Sequence, residues 1–346
     1  MGSATILSLG AALVDTEVKV GDADLQQLGL EKGLMSLSDA RAQQKNIDHL
    51  REHIGDFSRA SGGSAANSMI AIARLGGSAH LTCQVADDEN GAFFLQDLQQ
   101  CGVRFNQRGQ SRAGTTGTCL VLITPDAERT MNTCLAISDQ LSIQNLEEEP
   151  FGEAGWLYLE GYLATSDSGR QAAVQYAQQA RQQQIPVALS LSDPGIVQHF
   201  YSQLAEMAEG GIQLLFGNLA EALTWTGSSG LTDACRELDT KFPEYAITLG
   251  AEGALVAREG QRWQIPAPRV NAVDTNGAGD AFAGIYLHAR NQGLQPPAAA
   301  SLACFAAAQV VTQMGPRLTS DQAEKVATEM EKTKGVATRQ WDAYRL

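Results

Sequence analysis

Between residues 270 and 289 an apolar segment runs into Asp274-Thr275-Asn276, then Gly277-Ala278-Gly279, then Asp280 and a run that is apolar on nearly every face. Small residues at 277–279 leave backbone N–H groups uncovered at a helix N-terminus, where the helix dipole adds partial positive charge. An anion fits there. Asp280 opens the expected helix beside that hole, placed to take a proton from a hydroxyl attacking phosphorus. The chemistry this suggests is phosphoryl transfer to an alcohol. An Asp cap after a glycine turn writes the same string for structural reasons alone, so the rest of the chain has to decide.

Other segments add to it. Gly62 and Gly63 let a ligand approach the backbone, and Ser64 and Asn67 follow on the first turn of a helix, although a plain cap at Ser64 explains part of this. Asp15 follows the first strand run, where the carboxyl ends of strands line a ligand crevice in α/β sheets. A carboxylate there accepts two hydrogen bonds from a vicinal diol; a solvated turn Asp is the alternative. Asn218 and Glu221, at i and i+3 after a strand, have the spacing to hold the water shell of Mg²⁺, and equally the spacing of a capping box. Thr248, Gly250 and Gly253 lie in a strand–turn–strand that can meet nucleotide phosphates or simply form a hairpin. Arg129 can reach a transferred phosphate from an excursion of the chain, and Tyr162 can stack on a base, though such residues are also found solvated or packed in a core.

These residues need strands and helices to position them. Strands are expected at 6–9, 80–85, 118–123, 156–159, 186–191, 212–216, 245–249 and 254–257, many of them continuous apolar runs of the kind covered on both faces. Helices are expected at 64–75, 91–100, 169–184, 231–241, 280–291 and 297–313. The alternation points to a mostly parallel sheet with helices on both faces. Two stretches break it. Residues 13–60 hold a strand-like run and a polar stretch; residues 112–137 hold a hairpin-like pair around Pro125-Asp126. Both are expected to leave the main sheet and form a small β-sheet lid that shields reacting groups from water. The tail from 322 to 346 is expected to be a peripheral helix.

Bulk properties exclude several classes. The 346 residues carry a net charge of −14, which argues against nucleic acid or an anionic membrane as partner. No apolar run is long enough to span a bilayer, and no basic segment precedes the N-terminal apolar stretch, so the expectation is a cytoplasmic protein. Six cysteines without paired spacing read as buried, reduced thiols. The P-loop string, a dinucleotide fingerprint after the first strand, and the nucleophile-elbow string are all missing.

Taken together and in this order, the segments resemble the ribokinase-type, or pfkB, family of carbohydrate and nucleoside kinases, from about residue 4 to about residue 330. Asp274 to Asp280 resembles one family signature, Gly62-Gly63 with Asn67 another, and Asn218-x-x-Glu221 a magnesium and phosphate motif. Within the family, Leu13-Val14-Asp15, Ser61-Gly62-Gly63-Ser64, Glu128-Arg129, Glu160-Gly161-Tyr162 and Gly315-Pro316-Arg317 look most like bacterial adenosine-kinase-like members. Asn276 within its glycine turn and Val14-Asp-x-Glu-x-Lys are also similar to inosine–guanosine kinases. Residues 192–195 lack the Asn that often follows Asp-Pro in sugar-kinase members.

The resemblance implies one Rossmann-like α/β domain over residues 1–346, with the lid from the two excursions. It implies an ATP- and Mg²⁺-dependent kinase that phosphorylates the 5′-hydroxyl of a nucleoside, adenosine first, as in purine salvage. Sugar kinase for fructose or ribose, inosine–guanosine kinase, and an idle ligand-binding protein on the same fold stay open. In the nucleoside reading Asp280 is the base, assisted by Gly277, Ala278, Gly279 and Arg129. Asp15, Gly62, Gly63, Ser64 and Asn67 hold the ribose; Met35 and Tyr162 meet the base. Asn218, Thr248, Gly250 and Gly253 bind ATP, Asn218 and Glu221 organise Mg²⁺, and Asp274 and Thr275 hold a monovalent cation such as K⁺. A homodimer is the one macromolecular assembly this reading leaves open.

Overall fold

The computed structural model describes residues 4–106, 113–146, 149–209, 211–335 and 338–346. The first half runs β1 (Thr5–Leu9), β2 (Leu13–Lys19), α1 (Asp22–Leu28), β3 (Met35–Leu37), α2 (Ala40–Arg51), β4 (Phe57–Gly62), α3 (Ser64–Arg74), β5 (Ala79–Thr82), α4 (Glu89–Gln100), β6 (Arg104–Phe105), β7 (Gly117–Ile123), β8 (Arg129–Cys134) and β9 (Ala154–Glu160). Then follow α5 (Asp167–Gln182), β10 (Val187–Ser190), α6 (Pro194–His199), α7 (Tyr201–Glu209), β11 (Leu214–Asn218), α8 (Leu219–Thr226), α9 (Leu231–Lys241) and β12 (Glu244–Thr248). The chain closes with β13 (Ala254–Arg258), β14 (Gln261–Ile265), α10 (Ala278–Asn291), α11 (Pro296–Val310) and α12 (Ser320–Lys334).

The main sheet has the order β14-β13-β12-β11-β10-β9-β1-β5-β6. It is parallel from β6 to β12 and antiparallel at β12–β13–β14. Strand alternation divides its core. Ile6, Leu81, Tyr158, Phe216 and Val256 face α3, α10 and α11; Leu7, Leu9, Leu157, Leu189 and Leu215 face α5, α7, α8 and α9. This two-sided burial is the reason the strands read as near-continuous apolar runs.

The second sheet, β3-β8-β7-β2-β4, is assembled from both expected excursions. Its β7–β8 hairpin pairs Ile123 with Arg129; residue 112, the expected start of that excursion, lies outside the described residues. Val18, Leu120 and Leu122 on one face are covered by Leu25 of α1 and Leu50 of α2. The opposite face carries Cys119, Val121 and Met131, and the register sets Asp15 beside Cys119.

Several expectations need correction. Residues 22–51, read only as a polar stretch, contain α1 and α2. Helix α2 docks partly through an amide: Gln43 donates to the Asn132 carbonyl at 2.7 Å and accepts from Thr118 Oγ1 at 2.6 Å. A helix held this way has too few apolar positions for periodicity to find it. Asp15 is not at the end of a main-sheet strand, because the chain has already left that sheet and β2 pairs with β4 and β7. The helix expected at 297–313 ends at Val310, and the tail helix ends at Lys334, with residues 336–337 outside the described set. All six cysteines are free. Among the described residues no helix is long and apolar enough to cross a membrane.

Candidate active site

Strand order reverses at β1, which neighbours β9 on one side and β5 on the other. Crevices form at such points, outside the carboxyl ends of the strands. Here a cavity of about 200 Å³ opens, floored by the ends of β9, β10 and β11 and roofed by the inner face of the second sheet. One water needs only about 10–15 Å³ on that measure.

The wall formed by α3 and α10 depends on a glycine. A Cβ on Gly284 would stand 2.4 Å from the Ser68 carbonyl oxygen, so only glycine lets the two helices approach this closely. The approach brings Ser64 and Asn67 to Asp280. Ser64 Oγ donates to Asp280 Oδ1 at 2.6 Å, and Asn67 Nδ2 donates to Oδ2 at 3.0 Å. Burial raises the Asp280 pKa above the usual carboxylate value, against the lowering effect of these two bonds and of Arg129 and Arg317. Asp280 does not open its helix, as the string suggested. The helix starts at Ala278, capped by Gly277 at φ +72°, and Asp280 is its third residue.

The anion turn differs from expectation in one member. The Ala278 N–H bonds to the Thr275 carbonyl at 3.3 Å, and Ala278 is not on the cavity wall. Gly277 and Gly279 do face the cavity, and among the described residues their N–H groups have no backbone acceptor. A Cβ on Gly277 would meet the Pro316 carbonyl oxygen at 2.2 Å, so the turn lies directly on the Gly315-Pro316-Arg317 segment.

Arg129, Asp15, Met35 and Tyr162 all reach the cavity. The Arg129 guanidinium donates to Met131 Sδ at 3.5 Å and forms no ion pair among the described residues. Burial works against its charge, and Tyr162, Asp193, Asp280 and Glu221 around it outweigh that. Asp15 is 5% exposed, and its carboxyl accepts no hydrogen bond among the described residues. Burial, then Glu17, push its pKa well above the usual range. Gly62 is not a wall residue; a Cβ there would fall 2.0 Å from Asp15 Oδ1, so its role is to leave space for that carboxylate. Gly63 is a wall residue at φ +93°, pressed against the Ala11 carbonyl. Met35 pairs across β3–β8 with Met131, and the Tyr162 hydroxyl donates to the Ser192 carbonyl at 3.3 Å. Met35 and Met131 with the Tyr162 ring make one side of the cavity apolar.

Asn218 and Glu221 form the capping box at the start of α8. Glu221 accepts from the Asn218 N–H at 3.0 Å and from Asn218 Nδ2 at 2.7 Å, and Asn218 Oδ1 accepts from the Glu221 N–H at 2.8 Å. Both still face the cavity. Burial pushes Glu221 up to about 7. Among the described residues no group of three or more acidic, His or Cys side chains is placed to hold a metal ion directly. Thr248 is on the wall, but Gly250 and Gly253 form the β12–β13 turn away from it. Gly253 is required there by packing, since a Cβ would meet the Ile265 carbonyl oxygen at 2.0 Å. Asp274 and Thr275 lie behind the anion turn. Asp274 accepts the N–H groups of Asn276 and Gly315, both at 2.8 Å, and Thr275 Oγ1 donates to the Ala127 carbonyl at 2.8 Å.

Two residues that the sequence offered only within family-like segments, with no role, hold the cavity walls together. Glu160 ends β9 and holds two backbone segments at once, accepting from the Ala11 and Ala65 N–H groups at 2.7 Å each; burial lifts it to about 7. A Cβ on Gly10 would stand 2.7 Å from it, so Gly10 is the local signal for a side chain arriving from afar. Arg317 follows a glycine–proline turn and sends its guanidinium to Asn67, Asp97 and Ser61.

Comparison with known proteins decides the family. A profile of the pfkB family carbohydrate kinases matches residues 35–323. The chain belongs to the pfkB carbohydrate kinase family. It is 28% identical to the aminoimidazole riboside kinase of Salmonella typhimurium over 69% of this chain and 76% of that protein. It is 24% identical to adenosine kinase 1 of Arabidopsis thaliana over 90% of this chain and 94% of that protein. The crystal structure of adenosine kinase from Sinorhizobium meliloti superposes with a TM-score of 0.89 at 30% identity, covering 94% of this chain and 99% of the other. A probable sugar kinase from Rhizobium etli matches equally, with a TM-score of 0.89 at 30% identity over 95% and 99%. Membership of this family makes the chain an ATP-dependent phosphotransferase of the nucleoside and sugar kinase type.

Proposed function

We propose that this pfkB kinase phosphorylates the 5′-hydroxyl of a nucleoside, adenosine to AMP. The observation that carries the reading is the composition of one cavity: a bonded carboxylate beside an open anion turn, a separate carboxylate without a partner, and an apolar, aromatic side. A free sugar has no use for the last of these.

Asp280 accepts the proton of the 5′-hydroxyl as its oxygen bonds to the γ-phosphorus. The bond from that phosphorus to the bridging oxygen of ATP breaks, leaving ADP. The Gly277 and Gly279 N–H groups, with Arg129, stabilise the charge on the transferred phosphoryl group. Asp15 accepts from the two ribose hydroxyls. Asn67 assists from its remaining N–H. Met35, Met131 and Tyr162 surround the base. Mg²⁺ usually keeps several waters and binds substrate phosphates rather than an all-protein cage; that fits a site with Glu221 and Asn218 on the wall and no acidic trio. Glu221 and Asn218 would orient the waters of a bound Mg²⁺, which would neutralise phosphate charge. Thr248 faces the nucleotide. K⁺ belongs to the same proposal: Asp274 and Thr275 would hold it, and it would order the turn; equal rates in K⁺ and tetramethylammonium at matched ionic strength would remove it.

The test is product identity. With ATP, Mg²⁺ and adenosine, ³¹P–¹H coupling of the new phosphorus to the two 5′ protons of AMP is expected. ATP turnover with no phosphorus on the 5′ oxygen would overturn the reading.

A further inference from the structure

Arg317 lies on the segment after α11, and its guanidinium bonds residues distant in sequence, on other elements. Its side chain is 13% exposed. Nε donates to Asn67 Oδ1 at 3.1 Å, Nη1 donates to the Asp97 carboxylate, and Nη2 donates to the Ser61 carbonyl and to Ser61 Oγ, the latter at 2.9 Å. Ser61 Oγ in turn donates to Asp97. Burial works to raise Asp97, yet its carboxyl lies below the usual range because Arg317 and Ser61 outweigh that.

An arginine has donors and no acceptor. Asn67 must therefore turn its oxygen toward Arg317, which leaves its amide nitrogen for Asp280 Oδ2. With the amide reversed, Asn67 would set its oxygen against a carboxylate. The fork geometry of the guanidinium fixes a single orientation. The three anchors lie on β4 of the second sheet, on α4 and on α3, so one side chain ties the roof of the cavity to the residue that holds the base.

We propose that Arg317 is a positioning residue for phosphoryl transfer: it locks the Asn67 amide so that Asp280 stays aligned, without touching either substrate. The proposal rests on Asp280 being the base. Other charged and titratable groups also face Asp280: Arg129 from β8, Asp15 from β2, Tyr158 and Glu160 from β9, Tyr162, and Glu221 from α8. None of them orients the Asn67 amide.

The experiment compares wild type, Arg317→Met and Arg317→Lys with whichever acceptor wild type phosphorylates fastest. A failure of the adenosine assignment therefore leaves the comparison intact. In parallel, the Asp280 carboxyl is titrated by ¹³C NMR of Asp-labelled protein, its signal assigned with Asp280→Asn; this readout needs no turnover. For Arg317→Met, kcat falls about 10- to 100-fold, the scale expected for a misplaced reacting group, while KM for ATP changes less than about threefold. The Asp280 midpoint and the acid limb of the rate profile both move to higher pH, because a favourable positive charge is gone. Arg317→Lys keeps the charge but cannot reach all three anchors, so its midpoint stays while kcat falls about tenfold. A folded Arg317→Met with wild-type kcat and an unmoved midpoint, losing only thermal stability, overturns the proposal. If that variant does not fold, wild-type kcat in Arg317→Lys overturns it instead.

Discussion

The ionisable groups of the cavity fall into two sets that the fold treats oppositely. Asp280, Glu160 and Glu221 have both carboxylate oxygens bonded within the protein. Asp15 and Arg129 face the same space; among the described residues neither has an ion pair, Asp15 accepts no hydrogen bond, and the Arg129 guanidinium donates only to the Met131 sulfur. A buried charge without a partner is costly, so a fold tolerates it where a ligand supplies the partner. In the proposed reaction the held groups set geometry, and the unpaired ones bind.

The largest effect tests the held set. Asp280→Asn lowers kcat at least about 10²-fold, the scale of a positioned base, with ATP affinity and fold retained; kcat near wild type in a folded variant removes that role. The next tests the unpaired set, and in two directions. Asp15→Asn weakens nucleoside binding by about 1–3 kcal/mol while ATP affinity stays constant, read by calorimetry. The same substitution raises the melting temperature at neutral pH, since the carboxylate it removes is penalised by burial. Unchanged nucleoside affinity together with a lower melting temperature would mean that Asp15 belongs with the held groups.

A smaller effect concerns pH. Glu160 and Glu221 are raised to about 7 from 4.5. The folded protein therefore binds more protons than the unfolded chain between those values, and stability is lost as pH rises through 7. His288, lowered by burial to about 4 from 6.5, acts in the opposite sense and only below 6.5. The ligand-free protein should melt about 2–5 °C lower at pH 8 than at pH 6.5, with a shallower slope in Glu160→Gln. A rising melting temperature over that interval contradicts this account of both carboxyls.

The same division explains what could be seen in the sequence. Asp280, Gly277 and Asn67 were visible because each belongs to a short string with helical spacing. The main sheet was visible because two-sided burial writes apolar runs. Glu160 and Arg317 were visible only as members of family-like strings, and their contacts were not, because their partners come from distant segments and only the packed chain brings them together: Ala11 and Ala65 for one, Ser61, Asn67 and Asp97 for the other. Gly284 was hidden in the same way, as its function depends on Ser68 of another helix. Helix α2 escaped because Gln43 docks it where an apolar stripe was sought. Asn218 and Glu221 were visible as a pair but not as a role, since the capping box and the Mg²⁺ water shell use one spacing.

The central claim is that the apolar side of the cavity receives a nucleobase while Asp15 and Asp280 handle its ribose. It is tested most directly by kcat/KM for adenosine, aminoimidazole riboside, inosine, guanosine, ribose and fructose in one coupled assay at saturating ATP. Stacking and burial of a base contribute roughly 1–3 kcal/mol, so adenosine should exceed both free sugars by at least about tenfold. A free sugar that turns over faster than every nucleoside would contradict the claim.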